Sequence, residues 1–323
     1  MLVKKKKLKN YFSYVKIKIK KDGHAFMKIC ILQSQQPVSY DPKNPGIHDK
    51  EYCQRLGAEF LDHEFARMEE GFKLGADIIV TIEAFNLFVN PFDKRYDFSE
   101  FCAEPDGELC RRFLALSKKH RGYIAAGLHT LEDGKVYNSS VLFGPEGKIV
   151  GIYHKVHLPA GEELYNEPGN GYQVYETPFG NIGMLVCWDL QYPEAARTLA
   201  LMGADLIVCP TWGCEMLYVP CRAYENSVTL AVAMGIPKSG RLPQINSPSC
   251  IVDNMGNVVA MAKADSEDMI FADIDIKRDP LPQYGSENFT GFDSMRRTRL
   301  SQRRPDTYSY LTNPHPALKD RYK

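Results

Sequence analysis

Cys187 is the first residue whose surroundings point to chemistry. In Asn181-Ile-Gly-Met-Leu-Val-Cys187-Trp-Asp-Leu-Gln-Tyr-Pro-Glu194, a buried strand ends, one cysteine follows, and a helix can start at Pro193. Such a turn lifts a side chain out of the sheet at its C-terminal edge, where open α/β sheets place ligands. A helix N-terminus and nearby backbone N–H groups favour negative charge there. They are expected to lower the thiol pKa and to hold an oxyanion. The competing reading is a core cysteine, a residue type that is among the most often buried. Cys209, inside Ile207-Val-Cys-Pro210, reads as core.

A nucleophilic thiol needs a base and an electrostatic partner. Glu83 closes the apolar run Asp77–Ile82, where a carboxylate is costly unless paired or used. It reads either as half of a structural ion pair or as a proton shuttle whose pKa burial raises. Lys155 follows the strand-like run Ile149–His154 and reads either as a solvated surface lysine or as the electrostatic partner. Glu163 lies eight residues on, beside Glu162, and alone says nothing. His154 and His157 flank Lys155 and offer a Cys–His alternative. Alternation along a strand places both on the face opposite the lysine.

These residues need a scaffold. Strands are expected at Ile29–Gln33, Asp77–Ile82, Tyr123–Leu128, Ile182–Val186, Asp205–Cys209 and Phe271–Ile276. Helices are expected at Ala58–Leu74, Gly107–His120, Glu194–Met202 and Arg222–Ala233. Hairpins are expected at Tyr137–Tyr153 around Gly144-Pro-Glu-Gly147, and at Cys250–Ala262 around Asn254-Met-Gly-Asn257. Leu74-Gly-Ala-Asp-Ile-Ile-Val80 echoes Met202-Gly-Ala-Asp-Leu-Ile-Val208, and helix–strand–hairpin order recurs in both halves. The echo suggests an α/β sandwich with an internal pseudo-two-fold, although helix-Gly-Ala-Asp-strand is also common α/β punctuation.

Composition narrows the classes. The 323 residues are 44% hydrophobic and 25% charged, which excludes disordered and collagen-like chains. No apolar run has the roughly 18–20 residues of a membrane span. Net charge is zero, but residues 1–21 hold nine lysines and no acid. The remainder carries 31 basic against 40 acidic residues, a poor nucleic-acid binder. Nine irregularly spaced cysteines with no CxxC argue against a disulfide scaffold or a cysteine zinc site, and point to a reducing, cytoplasmic compartment. No GxGxxG or P-loop pattern is present. Residues 1–26 lack the apolar core of a signal peptide. They read as a disordered extension, as a tether to an anionic surface, or as sequence upstream of a start at Met27. Residues 27–280 read as one catalytic domain, and 281–323 as a tail packing on it or on a dimer partner.

Glu83, Lys155 and Cys187, in this order and each in its frame, resemble the nitrilase (carbon–nitrogen hydrolase) superfamily. The resemblance runs through IVTIEAF, GIYHKVHLP, GMLVCWDLQYPEAAR, GADLIVCPTWG, the segment Arg222-Ala-Tyr-Glu-Asn226, and Arg304-Pro-Asp-Thr-Tyr308. It implies a four-layer αββα sandwich, assembly into homodimers or higher homo-oligomers, and no metal or other cofactor. It implies a small-molecule amide or carbamoyl substrate whose C–N bond is hydrolysed through a thioester on Cys187. Glu83 would be the base, and Lys155 with the Trp188 N–H the oxyanion partners. Glu163 would position Lys155, with Glu162 the fallback for that role. Trp188-Asp189 is similar to the amidase and N-carbamoyl-amine hydrolase branches, whereas true nitrilases show Trp-Glu-Asn. Branches that take carboxylate-bearing substrates often place an Arg two to four residues after the Cys; here Asp189, Leu190 and Gln191 stand there. Asp189 reads either as an attractor for a substrate amine or as a helix N-cap. Phe85, Asn86, Phe88, Tyr192 and Trp212 read either as pocket wall or as ordinary packing. Arg222 and Glu225 read as a structural pair.

Overall fold

The computed structural model describes residues 18–19, 25–35, 49–237, 246–279 and 294–312. The chain divides after Arg278 into two units.

The first unit holds strands β1 (Lys18–Ile19), β2 (Ala25–Gln35), β3 (Ile78–Val80), β4 (Tyr123–Glu132), β5 (Lys135–Gly144), β6 (Lys148–His154) and β7 (Val174–Glu176). It continues with β8 (Asn181–Met184), β9 (Leu206–Thr211), β10 (Thr229–Ile236), β11 (Cys250–Val252), β12 (Val258–Met261) and β13 (Asp268–Ile274). Its α-helices are α1 (Lys50–Lys73), α2 (Glu108–His120), α3 (Pro193–Leu201) and α4 (Tyr218–Asn226). The second unit is short. It has α5 (Met295–Ser301), capped by the Ser294 hydroxyl, and α6 (Ser309–Thr312), with an Arg304–Asp306 ion pair of 2.9 Å between them.

The pseudo-two-fold is explicit in the pairing. In one half β2, β3 and β4 are parallel neighbours, the hairpin β5–β6 follows β4, and β13 closes the other edge antiparallel to β2. In the other, β8, β9 and β10 are parallel neighbours, the hairpin β11–β12 follows β10, and β7 closes the edge antiparallel to β8. Helices α1 and α2 stand in the crossovers of the first half as α3 and α4 do in the second. The two Gly-Ala-Asp echoes therefore enter equivalent strands, β3 and β9. The halves join where β10 pairs parallel with β2, at Gly235–Ser34 and Ile236–Gln35, the C-terminal ends of both strands.

Side-chain alternation separates the layers. Ile29, Ile31, Ile78, Val80 and Ala125 pack inward with Ile182, Met184, Leu206 and Val208 of the other sheet. Cys30, Leu32, Ile79, Ile124 and Ala126 point outward, onto Phe60, Met68 and Phe113 of α1 and α2. This is an αββα sandwich.

Two readings are corrected. The helix expected over Arg222–Ala233 is two elements: α4 ends at Asn226, and β10 is a buried strand. The break is Ser227, a left-handed residue (φ 49°) where a glycine would have signalled the stop. The Leu-Ala-Val-Ala-Met run that follows is apolar at every position, so periodicity cannot separate strand from helix. Helix α1 starts at Lys50, eight residues before the expected Ala58, because Asp49 caps it by accepting from Tyr52 N–H at 2.7 Å. Most of residues 1–26 lies outside the described residues; of that segment, Lys18–Ile19 pair with Ala25–Phe26. No helix among the described residues is long and apolar enough to cross a membrane, and all nine cysteines are unpaired.

One glycine fixes the join of the halves. A Cβ on Gly127 in β4 would lie 2.6 Å from the Ile82 carbonyl oxygen, 2.6 Å from Pro210 Cβ and 2.7 Å from Glu83 Cα. Two of these are backbone atoms that cannot swing away. Gly127→Ala is expected to destabilise the protein by about 1–3 kcal/mol and to displace Glu83, cutting activity more than stability explains. Urea unfolding alongside turnover checks this; a variant as stable and active as wild type would show that the contact is soft.

Candidate active site

Three segments bring their side chains to the rim where the halves join. Glu83 stands three residues past β3. Thr81 N–H donates to Ala125 O (3.0 Å) and Phe85 N–H to Gly127 O (2.8 Å), so the chain tracks β4 on both sides of Glu83. Ala84 turns it with φ 53°. Lys155 follows β6; its N–H donates to Asn138 O and its carbonyl accepts from Gly169 N–H, both at 2.8 Å. Cys187 stands three residues past β8 with φ 45°, left-handed backbone that costs a non-glycine residue about 1–3 kcal/mol.

Neighbouring side chains hold that strained turn. The Asp189 carboxylate accepts from Val186 N–H (3.0 Å), the Tyr153 hydroxyl (2.8 Å), His157 N–H (3.0 Å) and the His157 ring (2.9 Å). Arg222 donates to the carbonyls of Leu190 and Gln191 at 3.1 and 3.0 Å, and pairs with Glu225 at 3.1 Å.

Lys155 is 1% exposed and lies between two buried carboxylates. Its Nζ donates to Glu83 Oε1 (2.9 Å) and Glu162 Oε2 (2.6 Å). Burial works against the ammonium, but the neighbouring carboxylates, Glu83 first and then Glu162, outweigh it and hold the lysine pKa well above normal. Two of its three N–H bonds are engaged, which leaves one for a substrate oxygen. Asn138 Nδ2 bridges the carboxylates, 2.7 Å from Glu83 Oε1 and 2.7 Å from Glu162 Oε1. Burial pushes the Glu162 pKa up, opposed by Lys155 and reinforced by Glu83. The second oxygen of Glu83, Oε2, is buried and has no hydrogen-bond partner among the described residues.

The Cys187 thiol departs from expectation. Burial, and then the charge of Glu83, push its pKa up to about 12, against smaller lowering effects of Lys155, Thr211 and the Trp212 backbone. Desolvation outweighs the cation, which favours the thiol over the thiolate.

A cavity of about 240 Å³ opens onto Glu83, Lys155 and Cys187. Leu87, Pro91, Phe92, Pro159, Tyr165 and Trp212 supply much of its wall. Trp212 is the one proposed pocket residue found there; it fits because Gly235 presents no side chain to the indole, which a Cβ would meet at 3.1 Å. The others lie elsewhere. Phe85 packs between Phe60 and Phe113 (ring centroids 5.2 and 5.7 Å), and Phe88 joins the same outer core. Asn86 clamps the His129 backbone, accepting from its N–H (2.8 Å) and donating to its carbonyl (2.9 Å). Tyr192 stacks on His157 at 3.8 Å, and Trp188 offers the cavity no side chain. Asp189 is fully buried with both oxygens engaged, so it braces the turn and meets no substrate amine. His154 bonds Ser139 and His157 bonds Asp189; neither lines the cavity.

Glu163 is also corrected. Its carboxylate turns back to accept from Gly161 N–H at 2.6 Å and is exposed, while Glu162 faces Lys155. The 3-10 turn Glu162–Leu164, entered through Gly161 at φ 98°, decides which of the adjacent glutamates points inward. Asn138, Asn166, His129 and Tyr165 were missed. None carried a signal in the sequence; Asn138 stands beside Ser139 and Ser140 on a strand of mixed polarity.

The fold and this constellation define a carbon–nitrogen hydrolase. The carbon–nitrogen hydrolase family model matches residues 58–278, and the chain belongs to that family, within the nitrilase superfamily. It is 34% identical over 247 residues to a nitrilase of Pyrococcus abyssi, covering 74% of this chain and 89% of that one. It is 30% identical over 222 residues to the omega-amidase NIT2 of Homo sapiens, covering 63% and 78%. It superposes on a carbon–nitrogen hydrolase of Helicobacter pylori G27 with TM-score 0.67 and 25% identity, covering 90% and 99%.

The glutamate pair supplies a test. Glu162→Gln removes a charge from Lys155 and is expected to lower kcat/KM about 10²-fold through misplacement of the ammonium. Glu163→Gln is expected to stay within about 2-fold of wild type, as for a surface change. Equal effects, or the reverse order, would return the role to Glu163.

Proposed function

We propose that the protein hydrolyses small linear amides or N-carbamoyl amines through a thioester on Cys187, with Glu83 as the only proton carrier. One observation carries this reading: a buried carboxylate whose Oε1 is tied to Lys155 and Asn138 while its Oε2 is unpartnered. A buried acceptor without a donor is costly unless something else uses it. The raised pKa of Cys187 gives it that use.

The steps balance. Glu83 Oε2 takes the Sγ–H proton as sulfur bonds to the substrate carbon, and the carbonyl π pair moves onto oxygen. The third Lys155 N–H and the Trp188 N–H, in the first turn after β8, stabilise that oxyanion. The pair returns, the C–N bond breaks, and nitrogen leaves with the proton from Glu83. Water then gives a proton to Glu83 and its oxygen to the thioester carbon. Sulfur leaves with that proton, and the acid is released.

The walls suit a small neutral acyl group. Among the described lining residues the one cation is Lys155, already shared by two carboxylates. The named relatives include a nitrilase, omega-amidases and a citrullinase, so their names do not choose a substrate.

Ammonia release from aliphatic amides, ω-amides, carbamoyl amines, carbamoyl amino acids and nitriles tests the reading. Wild type is expected to act on neutral amides or carbamoyl amines ahead of carboxylate-bearing ones. Glu83→Gln, Lys155→Ala and Cys187→Ala should each lose at least about 10²-fold in rate, the typical cost of one oxyanion donor. Turnover by Cys187→Ala at the wild-type rate would remove the thioester from the mechanism.

A further inference from the structure

One polar group on the cavity wall has no part in these steps. His129 in β4 is 2% exposed, yet it lines the cavity that holds Cys187. Its backbone is fixed by Asn86, and its ring packs edge-on against Phe98 at 5.2 Å.

A side-chain relay sets its tautomer. Glu162 Oε1 accepts, so Asn166 must turn its NH₂ toward it, at 3.2 Å. Asn166 Oδ1 then faces His129 Nδ1 at 3.1 Å, and that nitrogen must carry the proton. Nε2 is left as a lone-pair acceptor, and no hydrogen bond engages it among the described residues. Burial, the largest effect, pushes the imidazole pKa down to about 4, so the ring is neutral at ordinary pH.

We propose that His129 determines specificity, its Nε2 accepting a hydrogen bond from a hydroxyl or N–H on the acyl chain of the substrate. The preferred substrates are then small amides with a neutral donor on the acyl chain, ahead of hydrocarbon isosteres. This rests on the amide-hydrolase reading above. A hydrocarbon chain against Nε2 leaves a buried acceptor unpaired, and sites built to bond a substrate hydroxyl reject the analogue that lacks it. A carboxylate gains nothing here, since neutral Nε2 offers it no proton.

The test separates binding from turnover. Affinity is measured on Cys187→Ala protein with 2-hydroxypropanamide against 2-methylpropanamide, and 3-hydroxypropanamide against butanamide; each pair exchanges a hydroxyl for a methyl. The hydroxy amides are expected to bind about 10-fold or more tightly. His129→Leu in that background should erase the preference, and His129→Gln, which retains an acceptor, should restore part of it. Equal binding of the pairs, or a preference that survives His129→Leu in a protein with wild-type circular dichroism, overturns the proposal. Ammonia release, with Cys187 present, reports on the chemistry separately. Equal kcat/KM for both members of each pair rejects the His129 role and leaves hydrolysis standing. A binding preference without any ammonia release rejects hydrolysis and leaves the His129 role standing.

Discussion

The site depends on one buried cation. Lys155 has almost no contact with water and is kept charged by the carboxylates of Glu83 and Glu162. Breaking such a buried set by removing one member costs about 3–5 kcal/mol, because it strands an uncompensated charge. The arrangement therefore fixes three side chains from three segments to one geometry, and Asn138 locks it by donating to both carboxylates. It also divides Glu83: one oxygen is committed to the cation, and the other has no hydrogen bond among the described residues.

That division sets the proton economy of the reaction. Burial dominates at the Cys187 sulfur, so the cation does not produce a standing thiolate. In the proposed reaction the proton moves as the bond to carbon forms, and Glu83 Oε2 can take it, return it to the leaving nitrogen and take another from water. The left-handed backbone at Cys187 is the cost of presenting the sulfur at the end of β8. Asp189 and Arg222, which grip the turn from either end, hold that conformation in place.

Glu83, Lys155 and Cys187 were each singled out by closing a strand-like run, but on its own frame each left a structural reading open, and the resemblance of their three motifs together joined them; the structure brings the three to one cavity. The layered fold was legible for a related reason: the Gly-Ala-Asp echoes mark entry into β3 and β9. What escaped reading depended on backbone direction over one or two residues. Glu162 and Glu163 differ only in which way a 3-10 turn points them. Asp189 follows Cys187 closely enough to suggest a substrate contact, yet its side chain turns back under the turn. Strand β10 was read as helix because Ser227 takes a left-handed conformation that sequence reserves for glycine or asparagine. The His129–Asn166–Glu162 relay joins residues from β4 and from the loop after β6, and no spacing rule links them.

The central claim is that Cys187 rests as a protonated thiol and depends on Glu83 to ionise it. Thiolate ultraviolet absorbance, taken as wild type minus Cys187→Ser across a pH titration without substrate, tests it directly. The account predicts no Cys187 thiolate below pH about 10, consistent with a group pushed up to about 12. A full thiolate signal at neutral pH would contradict it. It would mean that Lys155 forms the nucleophile in advance and that Glu83 has no first proton to take.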